Sequence, residues 1–320
     1  MSERILLTRQ MPPEAADLLQ NDGHEVDMID TSDPPDRAEL LAHAEGCAGV
    51  ICMLSDRIDA EFLDAAGPQL KIIANYAVGF DNIDLEACRE RGIRVSNTPG
   101  VLTEATADLA WTLILAAARR VTQGDQLMRS GKWLGWAPTQ LRGLELHGAT
   151  LGILGAGRIG SAVARRSVGF GMHVIYTSRR PNESLEEYLD ARRVGLDQLV
   201  AESDVLSLHI PVTPEAKHLI GPAQFQAMKS SAVLVNTARG PIVDESALIE
   251  ALKNGQIAAA GLDVYEFEPR LTPGLAELPN VVLLPHLGSA TMATRGKMAK
   301  MAANNIIAVM TGLEPPNPVA

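Results

Sequence analysis

Short apolar runs alternate with helical, polar-faced stretches through the first hundred residues. The runs lie at residues 5–7, 26–28, 49–52 and 70–73, and helix-like sequence such as residues 13–20 separates them. This alternation is typical of α/β proteins with a parallel sheet. We therefore expect the chain to begin with an α/β domain.

The middle of the chain has a different pattern. After a turn-rich break at residues 97–100, one long helix is predicted from Thr103 to about Arg129. The stretch 131–147 that follows is rich in large apolar residues, including Trp136, and lacks clear periodicity. Exposed apolar surface of this kind marks protein contacts, so an oligomer contact is expected here.

A second alternating series begins at residue 149, and each of its apolar runs ends in glycine or a polar residue. Six strands are predicted, at residues 150–154, 173–176, 205–208, 233–235, 258–262 and 281–284. Six strands make a full dinucleotide-binding sheet, in which ligands bind beyond the carboxyl ends of the strands. The fold class predicted for the whole chain is α/β, with two Rossmann-like or flavodoxin-like domains and an active site in the cleft between them.

A glycine-rich turn follows the first strand of this series and opens a helix. Its three glycines are Gly155, Gly157 and Gly160, with Arg158 and Ile159 between the last two. In a dinucleotide site the first glycine permits a tight turn, the second lets backbone approach a pyrophosphate and the third brings helix against strand. We predict that Gly155, Gly157, Arg158 and Ile159 bind a dinucleotide.

The sequence after the next strand predicts which dinucleotide is used. An NAD enzyme would carry Asp or Glu about 20 residues beyond the glycines, to bind a ribose hydroxyl. Here the strand ends in Ser178, Arg179 and Arg180, and the next acid is Glu183, after a proline. Guanidinium groups and a serine hydroxyl can bind a 2′-phosphate, so Ser178, Arg179 and Arg180 are its predicted ligands. NADPH is therefore expected and NADH disfavoured, the alternative being two arginines that only solvate a loop.

Three further residues follow predicted strands and have complementary chemistry: Arg239, Glu268 and His286. A guanidinium can hold the carboxylate of a 2-keto acid with two hydrogen bonds. Histidine can donate a proton to the carbonyl oxygen, and a neighbouring carboxylate would orient it and favour its charged form. These residues are our catalytic candidates; the alternatives are a surface arginine, a structural histidine and a loop acid.

The same motifs resemble the D-isomer-specific 2-hydroxyacid dehydrogenase family. The resemblance rests on the glycine turn, Ala238-Arg239-Gly240, the segment 263–269 and Pro285-His286-Leu287-Gly288, and it covers essentially the whole chain. It implies that Arg239 binds substrate, that His286 is the acid/base and that Glu268 pairs with His286. Residues 75–82, 103–108 and 285–291 look most like the NADPH-dependent glyoxylate/hydroxypyruvate reductase subgroup.

Further site residues are implied by the resemblance alone. Backbone N–H groups of Val78 and Gly79 would bind the substrate carboxylate, and Leu54 would border the substrate. The implied cofactor contacts are Thr106 with a phosphate, Asp263 with the nicotinamide carboxamide, and His209, Pro211 and Thr237 at strand ends. A solvent-facing Thr106, a core Leu54 and a packing role for His209 remain alternatives.

The composition and charge of the chain limit the kinds of partner that it can bind. The 28 basic and 39 acidic residues give a net charge of −11 without any basic run, which argues against nucleic acid and against an anionic membrane surface. The first residues do not resemble a signal peptide, and no stretch is long enough to span a bilayer. The three cysteines and seven histidines show no disulfide or metal pattern, so no metal and a cytoplasmic location are expected.

The resemblance also implies a domain arrangement. Residues 1–100 with 288–320 would form a discontinuous substrate-binding domain, and residues 101–287 would form the cofactor domain with a dimerisation segment at about 119–147. A homodimer is implied, in which Trp136 would border the partner's active site; packing within its own domain is the alternative. Two other functions stay open: a broader dehydrogenase acting on 2-ketogluconate, and a dinucleotide-sensing regulatory protein.

Overall fold

A computed structural model describes residues 2–319. The chain divides into two compact units: one holds the chain up to Leu102 and again from Ser289 onward, and the other holds Thr103–Gly288. No described helix is both long enough and apolar enough to cross a membrane.

The first part of the chain alternates strands and helices as its sequence pattern predicts, with one strand more than the four predicted apolar runs. The strands are β1 (Arg4–Leu7), β2 (Glu25–Met28), β3 (Gly49–Cys52), β4 (Ile72–Asn75) and β5 (Arg94–Ser96), and the helices are α1 (Glu14–Asn21), α2 (Arg37–Ala44), α3 (Ala60–Ala66) and α4 (Leu85–Glu90). The carboxylates of Asp36, Asp59 and Asp84 cap the N-termini of α2, α3 and α4. Such caps satisfy N–H groups that have no partner within the helix.

The second unit is a longer α/β array. Its strands are β6 (Thr150–Leu154), β7 (His173–Thr177), β8 (Arg192–Arg193), β9 (Val205–Leu208), β10 (Val233–Asn236), β11 (Ala259–Leu262) and β12 (Val281–Leu283). Its helices are α5 (Thr103–Ala118), α6 (Val121–Arg129), α7 (Arg158–Arg166), α8 (Glu183–Leu189), α9 (Leu196–Glu202), α10 (Pro222–Ala227) and α11 (Glu245–Lys253). The last helix of the chain, α12 (Met292–Met310), belongs to the first unit.

Both sheets are parallel over the described residues. Their strand orders are β2-β1-β3-β4-β5 and β12-β11-β10-β9-β6-β7-β8. The strand order of the second sheet reverses beside β6, which is where doubly wound sheets bind ligands. The prediction of two parallel-sheet α/β domains is confirmed.

Two details of the second unit differ from the sequence predictions. The predicted helix from Thr103 to Arg129 is two helices, because Arg120 has a left-handed backbone conformation (φ 53°) that no α-helix can contain. The described part of the second sheet also has seven strands rather than six. The additional strand, β8, is only Arg192 and Arg193, so it has no apolar run that could have revealed it.

Candidate active site

His286 and Glu268 form a direct pair in the second unit. The imidazole Nδ1 lies 3.0 Å from Glu268 Oε2, and both side chains are about one-third exposed, at 33% and 37%. The other carboxylate oxygen accepts the backbone N–H of Tyr265 at 2.9 Å. Burial alone would raise the pKa of Glu268, but the hydrogen bond and charge of His286 hold that pKa below its ordinary value. The pair therefore joins an ionised carboxylate to a partly exposed ring.

The loop after β12 holds His286 in a constrained backbone conformation. Its φ is 54°, a left-handed value that is uncommon outside glycine and clusters at functional sites. Asp263 fixes this loop, since its carboxylate accepts the N–H groups of Leu287 (2.6 Å) and Gly288 (2.8 Å) and its carbonyl accepts the N–H of His286 (3.0 Å). Asp263 is only 1% exposed, and burial raises its pKa against the effect of these bonds.

Arg239 lies in the loop after β10, in the same unit as the pair. Its backbone is held by Asn236, whose amide donates to the Arg239 carbonyl at 2.9 Å. The adjacent Gly240 packs directly on the Tyr265–Glu266 peptide: a Cβ there would lie 1.8 Å from the Tyr265 carbonyl carbon. This approach joins the loop that carries Arg239 (the arginine loop) to the loop that carries Glu268 (the glutamate loop). The charge of Arg239 also lowers the pKa of Glu268.

Two residues that sequence analysis missed brace the glutamate loop. Glu245, at the start of α11, is 1% exposed; it accepts the N–H of Glu266 at 2.9 Å and the hydroxyl proton of Thr272. His218 contacts the Glu266 carboxylate at 2.6 Å. An acid in the first turn of a helix is usually an ordinary dipole partner, so no sequence signal separated Glu245 from other helix-start acids.

The glycine turn has the geometry that a dinucleotide requires. Gly155 has φ +100° and faces the carbonyl of His209, while a Cβ on Gly160 would lie 2.0 Å from the Gly155 carbonyl oxygen. A Cβ on Gly157 would meet nothing within 4 Å, and α7 begins after it without a side-chain cap. The first turn of α7 thus leaves N–H groups available to a phosphate.

Thr237 gives a second indication of a ligand. Its hydroxyl is buried without a hydrogen-bond partner among the described residues, at the carboxyl end of β10. Buried polar groups are nearly always paired, so an orphan at this edge fits a bound molecule. Together with the glycine turn, it supports a dinucleotide beyond this sheet edge.

The loop after β7 carries the predicted phosphate residues. Arg179 and Arg180 are exposed, and the Ser178 hydroxyl donates to the Arg180 carbonyl. Arg193 of β8 braces this loop by donating to the carbonyls of Ser178 (2.9 Å) and Arg179 (3.1 Å). Sequence analysis missed Arg193, because only the pairing of β8 with β7 brings it to the loop.

The remaining predicted cofactor residues lie in varied settings. Thr106 is buried, and its hydroxyl donates to the Gly288 carbonyl at 3.1 Å. His209 directly follows β9 and contacts the hydroxyl of Ser207 in that strand at 2.8 Å, and burial lowers the pKa of His209 to about 3. Pro211 is exposed. The expected cofactor contacts of these residues stay predictions.

The predicted substrate residues lie in the first unit, on loops after β3 and β4. Leu54, Val78 and Gly79 are all half-buried. Asn82 joins the two loops, since its amide donates to the carbonyls of Met53 (3.0 Å) and Asp56 (3.1 Å). Their expected substrate contacts also stay predictions.

The segment after α6 exposes large apolar side chains. Leu134 is fully exposed, Trp136 is 83% exposed and Trp133 is 47% exposed. Packing of Trp136 within its own domain, the alternative to an oligomer contact, does not fit this exposure.

Comparison with known proteins identifies the family. The sequence profile of the D-isomer specific 2-hydroxyacid dehydrogenase, NAD binding domain, matches residues 111–288. This chain belongs to that family. The resemblance inferred from its motifs is confirmed: the protein is a D-2-hydroxyacid dehydrogenase, and its cofactor is a nicotinamide dinucleotide.

Individual relatives are similar over nearly their whole length. A glyoxylate reductase of Aeropyrum pernix is 50% identical, covering 98% of this chain and 95% of the relative. A solved structure from Thermus thermophilus is 51% identical with a TM-score of 0.92, covering 99% of this chain and all of the other. An NADPH-dependent glyoxylate/hydroxypyruvate reductase from Sinorhizobium meliloti, solved with NADP and malonate, is 36% identical with a TM-score of 0.88, covering all of this chain and 97% of the other.

Proposed function

We propose that this dehydrogenase uses NADPH to reduce small 2-keto acids, converting glyoxylate to glycolate and hydroxypyruvate to D-glycerate. The observation that carries the proposal is the His286–Glu268 pair, 3.0 Å apart, with the charge of Arg239 acting on it. The names of the relatives support glyoxylate as substrate, and one of them adds hydroxypyruvate and NADPH.

The proposed chemistry divides among three side chains. Arg239 binds the substrate carboxylate, because a guanidinium matches two carboxylate oxygens. When bound, the reduced nicotinamide supplies the hydride that adds to the carbonyl carbon. His286 donates its proton to the carbonyl oxygen, which becomes the hydroxyl of the product. Glu268 holds the ring through Nδ1, so the opposite nitrogen, Nε2, is the one that would give up the proton.

The proposed preference for NADPH depends on the charges in the loop after β7. Arg179 and Arg180 are exposed, and Glu183, the first acid after them in the sequence, begins a helix beyond Pro181. A 2′-phosphate would gain two cations there and meet no carboxylate in the loop itself. We also propose that Thr106, His209, Pro211, Thr237 and Asp263 lie along the bound cofactor, and that Val78, Gly79 and Leu54 contact the substrate.

The two domains have separate roles in this proposal, and two copies of the chain form a dimer. We propose that residues 1–100 with 288–320 bind substrate and that residues 101–287 bind the cofactor. The exposed Leu134 and Trp136 support a homodimer through residues of about 119–147. Three buried free cysteines are consistent with the reducing conditions of the cytoplasm.

A direct assay tests the function. Loss of reduced-nicotinamide absorbance is followed for NADPH and NADH with glyoxylate, hydroxypyruvate, pyruvate and 2-ketogluconate. The proposal expects the highest kcat/KM for NADPH with glyoxylate or hydroxypyruvate. Preference for 2-ketogluconate would contradict the substrate assignment, and tight NADPH binding without turnover of any keto acid would indicate a dinucleotide sensor instead.

A further inference from the structure

The loop after β4 is anchored to the end of β5 by two consecutive carbonyls. The Ala77 carbonyl accepts the backbone N–H of Thr98 at 2.8 Å, and the Val78 carbonyl accepts the side-chain amide of Asn97 at 2.8 Å. The first bond needs only backbone, whereas the second depends on the identity of residue 97.

These two bonds set the direction of the N–H groups that follow. In a planar trans peptide the C=O and N–H point in opposite directions. Since the carbonyls of Ala77 and Val78 face β5, the N–H groups of Val78 and Gly79 face away from it. Neither N–H donates a hydrogen bond within residues 2–319. Asn97 thus holds the carbonyl side of the Val78–Gly79 peptide, whose N–H is a proposed ligand of the substrate carboxylate. The next carbonyl, that of Gly79, accepts the side-chain amide of Asn75 at 2.7 Å, so Asn97 is the contact specific to the Val78–Gly79 peptide.

Asn97 is itself held firmly. Its backbone N–H donates to the Asn317 carbonyl at 3.2 Å, and its carbonyl accepts the amide of Asn305 at 3.4 Å. Asn305 is fully buried on α12 and also accepts the N–H of Asn317 at 2.9 Å. The side chain that orients the loop thus rests on a rigid, buried support in the first unit.

We propose that Asn97 is a positioning residue for the 2-keto acid carboxylate. The inference rests on the proposed function. With Asn97 in place, the Val78–Gly79 peptide presents its N–H to the anion. Without it the peptide can rotate, and a carbonyl turned toward the carboxylate would repel it. The interaction concerns an anion that is present in the ground state and the transition state alike, so it should affect KM more than kcat.

Two variants test the proposal. Asn97→Ala removes the amide, and Asn97→Asp keeps the shape but cannot donate to the Val78 carbonyl once ionised. We expect Asn97→Ala to raise the glyoxylate KM and the inhibition constant of oxamate about five- to tenfold, the effect of one oriented hydrogen bond. Asn97→Asp should raise both further, while kcat and NADPH affinity stay close to wild type.

A matched control separates positioning from folding. Asn317→Ala removes an equivalent amide from a residue that meets Asn97 only through backbone, and it should leave the glyoxylate KM unchanged. Wild-type KM and oxamate values in both folded Asn97 variants would overturn the inference. If wild type reduces no 2-keto acid, the proposed function fails instead, and if Asn97→Ala is unfolded, the isosteric Asn97→Asp decides.

Discussion

At the scale of single residues, the site consists of side chains that follow strands and of contacts that hold their loops in place. Arg239, Glu268 and His286 come after β10, β11 and β12, and parallel strands end at one edge of the sheet. The contact expected between Asp263 and the nicotinamide stays a prediction, and the structure adds that its carboxylate accepts two N–H groups of the His286 loop. Contacts of this kind depend on a loop geometry that spacing along the chain does not contain.

Gly240 gives a prediction on packing. Gly240→Ala would place a methyl group 1.8 Å from the Tyr265 carbonyl carbon, so the arginine and glutamate loops must separate. We expect the free energy of unfolding to fall by about 1–3 kcal/mol, as for other overpacked sites, with a clear loss of kcat/KM. Denaturant unfolding and steady-state kinetics measure the two effects. Gly169→Ala, where a Cβ meets nothing within 4 Å, is the control and should change neither.

Glu268 gives a prediction on pH. Its pKa is depressed in the folded protein, so its contribution to stability is present above the ordinary glutamate pKa and is lost as pH falls through the folded value. Glu268→Gln cannot ionise, so its free energy of unfolding should fall less than that of wild type when the pH is lowered from 7 to about 4. Denaturant unfolding of both proteins at the two pH values measures this, and equal losses would contradict a depressed pKa of Glu268.

At the scale of elements, apolar periodicity predicted most strands and fails where elements are polar or bent. Strands β6, β7, β9, β10, β11 and β12 correspond to predicted runs within a residue or two at either end. The break between α5 and α6 is set by one left-handed residue, Arg120, inside an otherwise helical pattern. Strand β8 consists of two arginines, and its existence depends on pairing with β7 rather than on burial.

The loop between β7 and α8 should decide whether the enzyme prefers NADPH or NADH. Arg179→Ala combined with Arg180→Ala should weaken NADPH binding about 10- to 100-fold, the range for lost charged hydrogen bonds, and leave NADH binding nearly unchanged. Fluorescence titration with both cofactors measures this. Arg165→Ala removes an exposed arginine on α7 that pairs with Glu104, and it serves as the charge control. Equal losses for both cofactors would contradict the phosphate site.

At the scale of the whole molecule, the two alternating series of strands and helices were enough to predict two α/β domains. The chain returns to its first unit at Ser289 and continues into α12. Residues 131–147 show no apolar periodicity, so an oligomer contact was expected there from their composition alone. The structure adds the exposed fraction of each large side chain, which is high for Leu134 and Trp136.

The proposed dimer should depend on the exposed apolar side chains of the segment after α6. Leu134→Asp with Trp136→Ala should convert a dimer into a monomer, because it removes two of the most exposed apolar groups of the segment. Sedimentation velocity measures the mass. Tyr188→Ala removes another aromatic group that is 75% exposed, on α8, and should leave the dimer intact. A wild-type protein that sediments as a monomer would contradict the homodimer.

Glyoxylate reduction by a His286→Gln variant, with NADPH affinity determined on the same preparation, shows directly whether His286 is the proton donor. If His286 donates the proton, kcat should fall about 100- to 10,000-fold, the usual contribution of a general acid, while NADPH binds as in wild type. Near-normal turnover in this variant would contradict that role, because the reaction would then not need His286 as its proton donor.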